Sequence, residues 1–341
     1  MATGIPIIRK RQRAVLNVKS MSDLSKLLQC QEHVMAAHAL TPEYDTYFIP
    51  KKNGKRLIED PNPVLKEMQG ILNDHLQAVY FYIRPAGVFG FCISSTTGEE
   101  KNIVSNAKKH IGNDYMINID LKDFFHQIKT NRVAQIINDV FLHSETEVKE
   151  MMTALMVYKG RLPMGAPTSP ILSNFALQNL DHEITNICQS FGVTFTRYAD
   201  DLTFSSMEYM NDTFEAMIKD AIVYEGFEIN PEKVKHYLPS SIKIVTGIVV
   251  GREDLRLPEL FLDQLQKEVI IYGNVVLAEH RYQTGMSQKK LDQFRQEISG
   301  KINFAAMVDS ENPKLLKITD TFNANDEIEN LSFDWLDIPY A

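Results

Sequence analysis

Apolar and polar residues change period along this 341-residue chain, and the changes predict an order of elements. Over residues 21–39 apolar side chains recur at helical spacing, and Ser20 stands where an N-cap belongs. The stretch TYFIPKKNGKRLIEDP then alternates on both sides of Asn53-Gly54, a strong hairpin signal, so two basic strands meet there. A helix over 63–79, a Gly- and Ser-containing loop over 89–97 and a short helix over 103–110 follow. DYMINIDL, residues 114–121, reads as a buried strand that ends in an acid. Helices are expected over 133–142, 147–158 and 169–191, with Ser169 able to cap the last. VTFTRYADDLTFS then places two β-rich runs around Ala199-Asp200-Asp201, which predicts a hairpin. A helix over 210–225, a strand-like SIKIVTGIVV and helices over 260–272 and 289–304 complete the pattern. An antiparallel sheet with helices on one face, followed by a helical module, is an α+β fold.

Composition narrows the class. With 44% hydrophobic and 23% charged residues the chain is globular, and it lacks any run of about 18 apolar residues that could span a membrane. Cys30, Cys92 and Cys188 are widely spaced and outside any CxxC pattern, so neither disulfides nor a zinc site is expected, and a cytoplasmic location fits. His33 and His38 lie five apart, off a common helical face. A net charge of -8 argues mildly against a polynucleotide partner, but its distribution is uneven. From Asp309 onward eight acids face Lys314 and Lys317, whereas the first 19 residues hold Arg9, Lys10, Arg11, Arg13 and Lys19 and no acid.

The sharpest chemical signal is carboxylate placement. Asp120 closes one apolar strand and Asp200-Asp201 sit at a hairpin tip, so neighbouring strands would gather three acids at one sheet edge. Such a cluster opposes its own ionisation unless cations compensate it. Two Mg²⁺ ions about 4 Å apart are the natural remedy, and paired metals of this kind activate a hydroxyl and stabilise a leaving pyrophosphate. An isolated Asp-Asp is otherwise an ordinary turn; the flanking strands and the upstream Asp120 are what favour chemistry here.

Tyr198-Ala199-Asp200-Asp201 resembles the catalytic hairpin of reverse transcriptases, and Ile119-Asp120-Leu121-Lys122-Asp123-Phe124-Phe125 resembles their first metal-binding motif. The resemblance implies a right-hand polymerase fold: lead-in helices over 1–39, fingers and palm over 40–250, a helical thumb over 251–308 and an acidic tail over 309–341. It implies that Asp120, Asp200 and Asp201 hold the metals, and that Phe125 is the bulky gate that rejects a ribose 2′-OH. Leu162-Pro163-Met164-Gly165-Ala166-Pro167-Thr168-Ser169-Pro170 is similar to the family's LPQG-x-x-x-SP motif, with Met164 where glutamine is usual, which removes a hydrogen-bond donor near the nucleotide. Lys51, Lys52, Lys55 and Arg56 match the fingers cations that grip the triphosphate. The segment from Glu225 to Lys233 resembles the fourth motif, whose lysine can protonate the leaving pyrophosphate; Lys233 is the candidate, with Lys235 equally available.

Asn106-Ala107-Lys108-Lys109-His110 and Val245-Thr246-Gly247 are similar to the NAxxH and VTG motifs of retron reverse transcriptases, and Gly300 to Phe304 resembles a late thumb motif. In that subfamily Asn106, His110, Val245, Thr246 and Gly247 would serve recognition of a cognate structured non-coding RNA. The enzyme would use deoxynucleoside triphosphates to copy that RNA from a guanosine 2′-OH, giving a branched RNA–DNA molecule, and with a separate effector protein would act against phage. The acidic end, with Phe333, Trp335 and Tyr340, could dock a partner or pack on itself. Two other readings stand beside this one: a non-retron bacterial reverse transcriptase of abortive-infection or group II intron type, and an RNA-binding scaffold with an inactive polymerase fold. The presence of all three acids weighs against the scaffold.

Overall fold

The computed structural model describes residues 4–51, 54–96, 98–282 and 288–330. The chain forms two bodies, residues 1–241 and 242–341, each with a hydrophobic core of its own. The first contains α1 (Ile5–Leu16), α2 (Met21–Leu28), α3 (Glu32–Leu40), β1 (Tyr44–Lys51), β2 (Gly54–Pro61), α4 (Pro63–Tyr80) and α5 (Ile103–Lys108). It continues with β3 (Tyr115–Asp120), α6 (Phe124–Gln127), α7 (Thr130–Val140), α8 (Thr146–Met156), α9 (Ser169–Ala176) and α10 (Gln178–Phe191). The hairpin β4 (Thr194–Tyr198) and β5 (Asp201–Ser206), α11 (Asp212–Tyr224), a 3-10 turn at Pro231–Lys233 and β6 (Lys235–Tyr237) complete it.

The central sheet is antiparallel with order β4-β5-β3-β6. Its two inner strands explain the apolar runs read from the sequence. Buried residues fall on both faces of β3 and β5; in β5 the apolar Leu202 and Phe204 alternate with the buried polar Thr203 and Ser205. Ile117, Leu202 and Phe204 join one core with Leu72 and Leu76 of α4, Met152 and Leu155 of α8, Leu180 and Ile184 of α10, and Ile218 and Ile222 of α11. β6 was not foreseen, since three residues are too few to show a period.

Helix breaks account for the other differences. The single helix expected over 21–39 is two, because Gln29 turns left-handed (φ 52°) and the Cys30 N–H returns to the Ser25 carbonyl, a C-cap that ends α2. Ser20 caps α2 as expected, in a reciprocal box with Asp23. Similarly, 169–191 divides at Leu177 into α9 and α10.

The second body holds β7 (Lys243–Val245), β8 (Ile248–Val250), β9 (Leu255–Arg256), α12 (Glu259–Tyr282), α13 (Gln288–Val308) and α14 (Pro313–Asn330). SIKIVTGIVV is a hairpin rather than one strand: Val245 faces Ile248, and Thr246 and Gly247 both take positive φ, as a two-residue turn of the primed type requires. Because β7 pairs with β8, which pairs in turn with β9, the contacts divide at Ser241/Ile242 rather than after 250. Leu262, Leu265, Val269, Tyr272 and Val276 form a 3-4 stripe on α12 that packs with Leu291, Ile298 and Ile302 of α13 and Leu315, Ile318 and Phe322 of α14. Thus much of the segment expected to be an acidic tail is a packed helix; of its acids Asp320 is exposed, and Asp326 accepts from Arg295 Nη2 at 2.9 Å. Phe333, Trp335 and Tyr340 lie outside the described residues.

One ion pair lies at the centre of the first body. Arg197 of β4 is fully buried, and its Nε and Nη2 donate to the two oxygens of Asp181 on α10 at 2.7 and 2.6 Å. Burial alone would keep Asp181 protonated, and its pKa is raised; the adjoining guanidinium opposes that shift. Removing one partner strands a buried charge, whereas removing both does not. We expect Asp181→Ala to lower the free energy of unfolding by about 3–5 kcal/mol, followed by circular dichroism in urea. The double change Asp181→Leu with Arg197→Met should cost less than that single one; an equal or larger loss would refute the account.

Candidate active site

Three strands bring the carboxylates together. Asp120, the last residue of β3, faces Asp201, the first of β5, and Tyr198 at the end of β4 faces Asp201 from the other side. Asp200 lies in the intervening turn, where Ala199 adopts φ +59° and the Asp200 carbonyl accepts the N–H of Leu121 at 3.1 Å. On the opposite side the Asp120 carbonyl accepts the N–H of Asn230 at 2.8 Å, which brings the 3-10 turn and its Lys233 to the same edge.

The electrostatics follow from that register. Crowding by surrounding atoms, then the charges of Asp200 and Asp120, push Asp201 up to about 6, although its side chain keeps an open surface. Asp200 is raised for the same two reasons, burial first and Asp120 second, with Lys233 and Arg56 opposing. Lys233 donates from Nζ to both oxygens of Asp120 at 2.8 Å, and its pKa is raised; desolvation opposes this and the three aspartates drive it. Lys235, in β6 opposite Asn118, acts on Asp201 through its charge.

Among the described residues no three acids, histidines or thiols stand close enough to ligate one ion as they are placed. Both oxygens of Asp120 are taken by the Lys233 ammonium. The donor set nevertheless fits a hard divalent cation: it is all carboxylate oxygen, and two of its members are held above the normal range by burial first and by neighbouring carboxylate charge second. Lys233 supplies part of the positive charge that such an ion would bring.

Around this edge the other candidates are distributed as follows. Phe125, in the short helix α6, is partly buried, its ring centroid 5.3 Å from Phe124 and 6.1 Å from Phe91. Gly165 has φ +139°, and a β-carbon there would lie 2.6 Å from the Glu59 carbonyl. The Met164 carbonyl accepts the Glu59 N–H at 2.8 Å, so this loop is stitched to β2. Beneath it the buried Glu59 takes two bonds from Arg161 at 2.7 and 2.9 Å; these hold its carboxyl below the usual range against the effect of burial. Ser169 does not cap α9: Thr168 holds that place, and the Ser169 hydroxyl donates instead to the Pro163 carbonyl at 2.6 Å, which closes the loop on itself. Lys55 and Arg56 are exposed on β2, opposite Pro50 and Ile49, and Arg56 is near enough to stabilise the Asp200 anion. Lys52 lies outside the described residues, as does the side chain of Lys51.

The Asn106–His110 motif lies elsewhere than expected. Asn106 and His110 are 1% and 0% exposed, so neither side chain is placed to touch RNA directly. His110 instead bridges the central sheet, with Nδ1 2.6 Å from Ser205 Oγ on β5 and Nε2 2.7 Å from Thr196 Oγ1 on β4. Val245 is likewise buried, while Gly247 is exposed at its turn.

Sequence reading missed the frame behind the hairpin. Arg197 also donates from Nη1 to Asn174 Oδ1 and to the Ala199 carbonyl, each at 3.0 Å. Asn174 Nδ2 in turn donates to the carbonyls of Gly90 at 3.0 Å and Phe91 at 3.2 Å. Gly90 lies so close that a β-carbon would collide with the Ala199 backbone nitrogen. The available signal was an arginine inside an otherwise uncharged strand pattern.

A family model described as reverse transcriptase (RNA-dependent DNA polymerase) matches residues 49–276. The chain is 32% identical over 256 residues to the retron Ec86 reverse transcriptase of Escherichia coli, covering 72% of this chain and 75% of that protein. It is 28% identical over 277 residues to the retron Mx162 reverse transcriptase of Myxococcus xanthus, covering 71% of this chain and 56% of that protein. Among solved structures it resembles the telomerase of Candida albicans, solved with a fragment of telomeric RNA, at a TM-score of 0.48 and 10% identity, over 87% of this chain and 65% of that one.

The buried His110 gives a pH test. Desolvation lowers its pKa to about 3, so the folded protein holds it neutral while an unfolded chain protonates it near 6.5. Its contribution to stability is therefore complete above about 6.5 and is lost progressively as pH falls toward 3. At pH 5 the loss from this group is on the order of 2 kcal/mol. Urea midpoints measured from pH 7.5 to 5 should fall more steeply for the wild type than for His110→Gln; parallel slopes would contradict a neutral, buried imidazole.

Proposed function

The chain belongs to the reverse transcriptases, RNA-directed DNA polymerases, with retron enzymes as its relatives, and from that premise we propose that it copies one cognate structured non-coding RNA into single-stranded DNA. Synthesis starts in this reading from a 2′-OH of the RNA itself and leaves a branched RNA–DNA product, which with a separate effector protein serves antiphage defence. The observation that supports the polymerase chemistry most directly is the Asp120–Asp201 register, with Asp200 in the adjoining turn.

The family implies dependence on a divalent metal; we propose Mg²⁺, as two ions, held by Asp120, Asp200 and Asp201. When bound, the ions supply Lewis-acid activation of the attacking hydroxyl and neutralise charge on the departing pyrophosphate. The chain's own groups do the remaining work. Lys55 and Arg56 receive the triphosphate of the incoming deoxynucleotide, Arg56 through a planar fork suited to phosphate oxygens. Phe125 closes the space that a 2′-OH would occupy. The glycine at 165 lets the loop seat against the Glu59 backbone of β2, and so presents the Met164–Gly165 backbone to the nascent base pair. Lys233, already protonated beside Asp120, is the candidate ammonium from which a proton could pass to pyrophosphate, with Lys235 the alternative. In RNA recognition the turn at the exposed Gly247 is the presenting element, with Thr246 shaping it from a half-buried position, and His110 acts indirectly by bracing α5 against the sheet.

The expected result for Asp200→Asn or Asp201→Asn is loss of DNA synthesis with co-purification of RNA retained; full activity in either variant would overturn the metal assignment. To test the retron reading, nucleic acid that co-purifies from the native locus is treated separately with RNase, DNase and a debranching enzyme. A discrete single-stranded DNA joined through a 2′,5′ linkage to a small RNA is expected. Heterogeneous or absent DNA, with activity on arbitrary primed templates, would instead indicate a general reverse transcriptase.

A further inference from the structure

The loop that follows α4 contains a conformation that its sequence does not favour. Phe91 has φ +57°, a left-handed backbone that a bulky aromatic rarely adopts, and such outliers persist only where the surroundings over-determine them. Here the surroundings do. The Phe91 carbonyl accepts Gln77 Nε2 at 2.9 Å and Asn174 Nδ2 at 3.2 Å, and the preceding Gly90 carbonyl accepts Asn174 Nδ2 at 3.0 Å. Upstream, the Phe89 N–H bonds the Arg197 carbonyl and the Arg197 N–H bonds the Gly87 carbonyl, both at 2.9 Å, so the loop runs alongside β4. Gly90 is pressed against the Ala199 backbone, where no side chain fits.

What this scaffold delivers is one ring. The Phe91 side chain lies against Phe125, with centroids 6.1 Å apart and planes inclined by 35°. On its other flank Phe125 meets Phe124, which is itself buried and 6.2 Å from Phe227. Phe125 is thus flanked by a core aromatic and a loop aromatic, and the loop aromatic is carried on a strained backbone of its own.

We propose that Phe91 is a specificity-determining positioning residue: it backs Phe125 and fixes the depth to which that ring closes the space beside the sugar. The inference rests on the reading of Phe125 as the sugar gate. A gate excludes one hydroxyl only if it cannot retreat by a fraction of an ångström, and a half-buried ring with nothing behind it would retreat. Asn174 makes the arrangement double: its Nδ2 holds the loop, while its Oδ1 accepts from Arg197, which holds Ala199 beside Asp200. The gate support and the carboxylate hairpin are therefore registered to the same side chain.

The test is the ratio of ribonucleotide to deoxyribonucleotide incorporation by the full chain with its co-purified RNA, each triphosphate supplied alone. Phe125→Ala examines the underlying reading and should raise the ratio by about a hundredfold. Phe91→Gly suits the positive φ and removes only the ring, and should raise the ratio by about tenfold. Gln77→Met keeps the ring but removes one donor to the Phe91 carbonyl, and should raise it by about threefold. A merely structural role for Phe91 would depress both incorporations together and leave the ratio unchanged. If Phe125→Ala raises the ratio while Phe91→Gly and Gln77→Met do not, the support role is overturned and the gate stands. If Phe125→Ala leaves the ratio unchanged, both fall. Should Phe91→Gly not fold, an unchanged ratio in Gln77→Met overturns the proposal.

Discussion

The arrangement of the catalytic edge depends on a guanidinium that has no water to turn to. Arg197 is fully buried, so each of its N–H groups must find an acceptor within the protein or leave a large desolvation cost uncompensated. Asp181 takes two of these bonds, Asn174 one and the Ala199 carbonyl one. Those acceptors belong to α10, α9 and the hairpin turn, so satisfying one side chain fixes three elements relative to one another. Hydrophobic packing could place β4 and α10 in contact at several offsets, but a bidentate pair at 2.6 and 2.7 Å admits only one. A buried ion pair adds little stability compared with an apolar replacement, and its contribution here is better understood as register.

The second constraint is like charge. Bringing Asp120 opposite Asp201 with Asp200 alongside raises the pKa of the latter two. The fold tolerates this because Lys233 bridges Asp120 and because Asp201 keeps a solvated face. The edge is therefore under-neutralised in the free protein, which favours cation binding there. The same lysine has two demands on it: it offsets Asp120 in the free protein and is the proposed proton donor in the reaction.

How much of this could be read beforehand depended on distance along the chain. The β4–β5 hairpin and the β1–β2 hairpin were legible because their periodicity and turn residues are local. So were α4 and the Ser20 cap. The convergence of Asp120 with Asp200 and Asp201 was legible only conditionally, since no local pattern says that β3 neighbours β5. The Arg197–Asp181 pair and the link from Glu59 to Arg161 were not legible, because each joins elements whose contact is fixed by tertiary packing. The Asn106–His110 motif shows a different limit. The resemblance tied it to RNA recognition, but polar residues near a helix end can equally well cross-link strands when hydroxyls stand opposite, as Thr196 and Ser205 do. The helix α14 was masked by its composition: acids dominate the count, while the 3-4 spacing of Leu315, Ile318 and Phe322 carries the fold.

Backbone strain points to the same region by an independent route. Among the described residues six non-glycine positions have positive φ, and three of them, Phe91, Asp123 and Ala199, adjoin the carboxylate edge or Phe125. The others have local explanations: Gln29 ends a helix and Thr246 forms a two-residue turn, while Lys159 lies at the tight turn between the bridged residues Tyr158 and Arg161. Phe91 has no such local reason, and Ala199, although it stands in the two-residue turn between Tyr198 and Asp201, is an alanine where such a turn favours glycine or asparagine. Each is instead held by hydrogen bonds on its carbonyl, from Arg197 in one case and from Gln77 and Asn174 in the other. A fold relaxes such positions unless something prevents it, and what prevents it here is a single connected set of buried donors. Local preference and tertiary structure thus disagree at the two places where the position of a carboxylate or an aromatic wall would matter for chemistry, as expected where a site is built at the expense of local fit.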